Sequence, residues 1–208
     1  DMKKILLLLA VFVVFSCTKT QFDEFETSSG SADFTNYIAV GNSLTQGIQD
    51  AGLHNELGQQ DNSYPAILAQ QMKLSTPGMS FVQPLVTGDG SGYKHLEWID
   101  EELEVTDVDA DASWSSYGDN TIKYNNLGIS GIRLTDCVPD ITPFSSSINQ
   151  VICSSNPNGA FLDFGTVLSN EISYLDHIKA SEATFFTNWL GNNDVLAWAT
   201  TGGDDGTI

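Results

Sequence analysis

Ser43 lies in Gly41-Asn42-Ser43-Leu44-Thr45-Gln46-Gly47, directly after the apolar run Tyr37-Ile38-Ala39-Val40. A serine hydroxyl in a polar, glycine-flanked turn is a candidate nucleophile. Two later tracts have the same form. Thr121-Ile122-Lys123-Tyr124-Asn125-Asn126 alternates like a strand and runs into Leu127-Gly128-Ile129-Ser130-Gly131. Ala183 to Leu190, rich in aromatic and β-branched residues, runs into Gly191-Asn192-Asn193-Asp194. A hydroxyl, an exposed glycine N–H and a side-chain amide are the parts that acyl transfer needs. The hydroxyl adds to the carbonyl, and fixed donors hold the oxyanion that forms.

These parts act together only if the elements before them end in one place. A short apolar run bounded by glycine reads as a buried strand. Open α/β sheets hold ligands at the carboxyl ends of their strands. Tyr64 to Met72 reads as an amphipathic helix, with Ser63 as its cap and Pro65 in its first turn. A second helix is expected around Val167 to Ala180. Strands alternating with helices predict an α/β fold, a parallel sheet covered on both faces. In the flavodoxin-like, three-layer α/β/α order 2-1-3-4-5, the first three strands are neighbours and their turns share one crevice.

With these residues in view, the chain resembles the SGNH, or GDSL-type, hydrolase family over about residues 35–200. Gly41-Asn42-Ser43-Leu44-Thr45 is similar to the family's first block, usually Gly-Asp-Ser-Leu. Asn126-Leu127-Gly128-Ile129-Ser130-Gly131 resembles the second block. Gly191-Asn192-Asn193-Asp194 resembles the third, Gly-x-Asn-Asp. The resemblance implies that Ser43 is the nucleophile. It implies an oxyanion hole made by the Ser43 N–H, the Gly131 N–H and the Asn193 amide, with Gly131 preferred to Gly128 because the family's donor glycine usually closes the block. No cofactor and no metal are expected.

The chain departs from the family in two ways. Asn42 replaces the usual aspartate, from which we expect only a local change in loop hydrogen bonding. The family's late Asp-x-x-His, whose histidine takes the serine proton, has no counterpart: the chain ends at Ile208, fourteen residues after Asp194. His54, His95 and His177 do not fit that position, and each reads as solvated or structural. The chain therefore reads as the N-terminal part of a longer enzyme. The last strands and a helix would be missing, the sheet edge open, and the fragment poorly soluble or inactive.

The rest of the chain sets the context. It has 208 residues and a formal charge of -19, which disfavours nucleic-acid partners. Lys3 and Lys4 precede an apolar run, Ile5 to Phe15, too short for the roughly 20 residues of a membrane span. Residues 1–17 read as a signal peptide. Val14-Phe15-Ser16-Cys17 resembles a bacterial lipobox, with Cys17 acylated; the alternative is an ordinary signal peptide. Residues 18–34 read as a flexible tether, and 35–208 as the hydrolase domain, incomplete at its C-terminus. Residues 75–120 or so are Gly-rich, acidic and weakly periodic, and read as an insertion over the site. Asp107, Asp109 and Asp111 alternate as in a calcium loop, but Ala112 and Gly118 stand where its glycine and glutamate belong. A solvated acidic loop is the reading kept. Cys137 and Cys153 are candidates for a disulfide in an oxidising compartment.

The expected function is hydrolysis of a carboxylic ester, of an acylated carbohydrate or a lipid, by an exported bacterial lipoprotein that is periplasmic or outer-membrane anchored. The alternative is a binding lipoprotein that keeps the crevice and lacks the base. Trp98, Trp114 and Tyr117 are candidates for a sugar-stacking platform, with packing aromatics as the plainer reading.

Overall fold

The computed structural model describes residues 26–56, 58–110, 122–137, 173–200 and 202–203. Cys17, Asp111, Trp114, Tyr117, Cys153 and the signal segment lie outside the described residues, as does the first part of the second expected helix.

The fold is mixed α/β. Its main sheet has three parallel strands, β1 (Tyr37–Gly41), β4 (Asn126–Gly128) and β5 (Phe185–Trp189), in the order β4-β1-β5. β1 is central: Val40 pairs with Leu127 on one side and with Asn188 on the other. All of β1 is buried, as its apolar composition requires. Alternation sends its side chains to opposite faces. Tyr37 and Ala39 pack on Ala69 and Met72 of helix α2 (Tyr64–Ser75). Ile38 and Val40 pack in a cluster with Leu127, Ile129, Ile132 and Tyr174, the last from helix α3 (Tyr174–Ala180). Each fully buried aliphatic side chain contributes roughly 1.5–3 kcal/mol, so β1 anchors both layers.

Several boundaries differ from the sequence reading. The second strand lies at Asn126–Gly128, not Thr121–Asn126. Residues here join the ladder only where β1 faces them, from Ala39 to Gly41, and Ile122 is exposed. Helix α2 runs three residues further than expected. Ser63 stands at its N-cap, but its hydroxyl makes no capping bond and is buried without a partner among the described residues.

The expected irregular insertion contains an antiparallel hairpin, β2 (Tyr93–Ile99) and β3 (Glu102–Val108). It turns on Asp100 and Glu101, at φ 48° and 70°. Both residues at positive φ match the twist of a two-residue hairpin. One face is exposed and apolar: Leu96 opposes Val105 and Trp98 opposes Leu103. Asp107 is a strand residue paired with Lys94. No cluster of metal-ligating side chains occurs among the described residues.

β5 pairs with β1 on one side. Phe186 and Trp189 on β5 are exposed, as are Val195, Leu196 and Trp198 on helix α4 (Asn192–Thr200). No helix among the described residues is long and apolar enough to cross a membrane.

Candidate active site

Ser43 opens a one-turn helix, α1 (Ser43–Gln46), at the carboxyl end of β1. The turn is sharp because Gly41 has no side chain: a Cβ there would lie 2.0 Å from Thr45 Oγ1 and 2.9 Å from Trp189 O. Asn42 caps the helix, its Oδ1 accepting from Leu44 N at 3.1 Å. Gly47, at φ 101°, ends it, and its N–H reaches Ser43 O at 3.0 Å. Ser43 itself is half-buried. Its Oγ hydrogen-bonds to no described residue, and neither does its N–H.

The second tract packs against this turn. Ile129 N donates to Gly41 O at 3.0 Å, and Asn126 Nδ2 to Thr45 O at 2.8 Å. Gln46 Oε1 accepts from Ser130 N at 2.9 Å. Gly128 and Gly131 have separate roles. Gly128 N–H is spent on Asn126 Oδ1, and a Cβ there would lie 2.2 Å from Gln46 N. Gly131 is exposed at φ 79°, with nothing within 4 Å of where a Cβ would stand. Its N–H bonds to no described residue.

The third tract ties to both others. Asn42 Nδ2 donates to Asn192 Oδ1. Asn193 Nδ2 donates to Ile132 O at 2.9 Å, which leaves the second amide hydrogen of that group for another acceptor. Leu134 N donates to the Asp194 carboxylate at 3.0 Å. Thus the turns holding Ser43, Gly131 and Asn193 are bonded into one corner, at the carboxyl end of the sheet.

Two residues that the sequence reading passed over hold this corner. The Tyr174 hydroxyl accepts from Gly41 N at 3.2 Å and donates to Leu127 O at 2.7 Å. Its complete burial pushes its pKa far above the ordinary value. No sequence signal joins Tyr174 to Gly41, 133 positions away. Gln46 could have been suspected: it lies one turn after Ser43 on a short helix.

The histidines stand elsewhere. His54 is fully buried and stacks on Tyr93 with ring centroids 3.9 Å apart. Neither of its ring nitrogens has a hydrogen-bond partner among the described residues, and Asp50 Oδ2 lies 3.6 Å from Nε2. His95 is on the hairpin, 3.0 Å from Thr106 Oγ1. His177 is on α3. Cys137 has no disulfide partner among the described residues, and its thiol donates to Arg133 O at 3.3 Å. Burial, and then the Asp136 and Asp194 carboxylates, push it up to about 12.

Comparison with protein-family models, with curated proteins and with solved structures finds no match to this chain. The fold and the corner itself are what bear on its class: an α/β protein with a serine at the end of its central strand whose hydroxyl has no partner among the described residues.

Proposed function

We propose that the chain carries the nucleophile and oxyanion donors of a serine ester hydrolase of the SGNH type. The observation that carries this reading is the hydroxyl of Ser43 at the head of α1, without a partner among the described residues, with the Gly131 and Asn193 turns bonded to the same corner. The order β4-β1-β5, with β1 central, supports a flavodoxin-like sheet of order 2-1-3-4-5.

In this mechanism Ser43 Oγ adds to the ester carbonyl and loses its proton to a base. The Ser43 N–H, the Gly131 N–H and the free hydrogen of the Asn193 amide receive the oxyanion. The alcohol leaves with a proton, and water then releases the acid from the acyl-serine. The base is not among the partners of Ser43 in this structure: no described histidine bonds to it. That last point also favours the second reading, a binding protein that retains the crevice without turnover. The substrate class is an acylated carbohydrate or lipid ester, met by an exported lipoprotein held to the membrane through Cys17.

The test is reaction of the full-length natural protein with a fluorophosphonate probe, followed by peptide mapping, beside hydrolysis of p-nitrophenyl acetate. Labelling at Ser43, with turnover abolished by Ser43→Ala, is expected. A folded protein unlabelled at Ser43 would leave the binding reading in place.

A further inference from the structure

We propose that Asn42 is a positioning residue: its paired carboxamide with Asn192 locks the nucleophile turn to the third turn and so sets where Asn193 stands. The inference rests on the ester-hydrolase reading and adds a residue that the reading itself leaves idle.

Asn42 is fully buried. Its Oδ1 is committed to Leu44 N, as the cap of α1. That commitment turns Nδ2 toward Asn192, which must meet it with Oδ1. Asn42 N also donates to Trp189 O at 3.3 Å, at the end of β5. One residue therefore holds the start of α1, the end of β5 and the start of α4. Asn192 is the neighbour of Asn193 in the first turn of α4. A shift of one moves the other, and with it the amide that reaches Ile132 O. A misplacement of about 1 Å in such a group costs about 10²-fold in rate.

Hydrogen-bond inventory makes this a two-position rule. An amide at 42 or at 192 supplies the donor the pair needs, since an amide turned over exchanges donor for acceptor. Aspartate at 42 is met by the Nδ2 of a turned Asn192, and aspartate at 192 is met by the Nδ2 of Asn42. Aspartate at both places sets two carboxylates together with no hydrogen between them. One of the two must then bind a proton for the pair to re-form.

The experiment compares Asn42→Asp, Asn192→Asp and the double variant in the full-length protein, by kcat and KM on p-nitrophenyl acetate from pH 8 to pH 5. Each single change is expected to cost less than about tenfold in kcat. The double variant is expected to lose about 10²-fold, mostly in kcat, and its rate relative to wild type is expected to rise as the pH falls. Asn42→Ser keeps the cap but is too short to reach Asn192, so it is expected to lower kcat with little change in KM. It covers the case in which the double variant does not fold. Losses that add across the two sites, with a flat pH ratio, or an Asn42→Ser protein with wild-type kcat, overturn the proposal. If the wild type neither turns over nor labels at Ser43, the hydrolase reading falls by itself. The pair is then judged on the thermal midpoints of the same proteins: a loss in the double variant beyond the sum of the singles supports it, and additive losses overturn it.

Discussion

The hydroxyl of Tyr174 donates to the carbonyl of Leu127 at 2.7 Å while accepting the N–H of Gly41. A side chain from α3 thus ties β1 to β4 where the two strands run out. Gly41 is two residues from Ser43, and Leu127 lies in the tract that ends at Gly131. The bridge fixes the distance between the Ser43 turn and the second turn from below.

Tyr174→Phe removes both hydrogen bonds of that bridge, while the register of β1 and β4 keeps Gly41 N–H against Leu127 C=O. Two bonds at about 0.5–1.5 kcal/mol each give an expected loss of about 1–3 kcal/mol. Urea unfolding with an unchanged slope measures it. A loss under about 0.5 kcal/mol would mean that water or another donor already serves these groups.

The two glycines of the second tract separate by their contacts. Gly128→Ala drives a methyl to within 2.2 Å of the Gln46 backbone nitrogen, so α1 cannot stay where it is. That variant is expected to lose its native fold. Gly131→Ala meets open space but keeps a positive φ, and its expected cost is about 1–2 kcal/mol. Circular dichroism and thermal melts of the two proteins compare them; equal stabilities would contradict the assignment.

Alkaline pH is expected to unfold the protein in two stages. Burial pushes Cys137 from 9.0 and Tyr37 from 10.0 up to about 12 each. Both groups bind their proton more tightly when folded. Their contribution is complete below the unfolded values and is lost as pH rises from there through about 12. The melting temperature should hold between pH 7 and about 8.5, then fall, and fall faster past about pH 10. Cys137→Ala should remove the first decline. A flat profile to pH 11 would refute the burial of both groups.

On the hairpin, Glu97 stands directly opposite Glu104. Like charges facing each other across strands are destabilising, so Glu104→Lys is expected to gain about 0.2–1 kcal/mol. Amide hydrogen exchange should slow in β2 and β3 alone. Unchanged protection there would show that the two carboxylates do not sense each other.

Much of the architecture was legible along the chain. The apolar run Tyr37–Val40, stopped by glycine, is a central strand because it is apolar at every position and so must be covered on both faces. The start of α2 followed from Pro65. The three polar turns were visible in order, because glycine and asparagine mark turns by their own backbone preferences. The hairpin was hidden for a local reason: its turn uses Asp100 and Glu101 at positive φ, without the glycine that usually marks it. The end of the second strand was misplaced because Thr121–Asn126 alternates, and alternation does not say which residues find a partner.

What the sequence alone determined, then, is which residues have the chemistry: a serine, glycines and amides at the ends of apolar runs. Only the tertiary structure decided which of them are free to use it. Gly128 and Gly131 look alike in sequence, yet the first spends its N–H on Asn126 and the second does not. Asn192 and Asn193 are neighbours, yet one is bound to Asn42 and the other to Ile132. The reason is physical. A residue type sets how many donors and acceptors it brings, but which of them are already satisfied depends on groups brought together from distant parts of the chain.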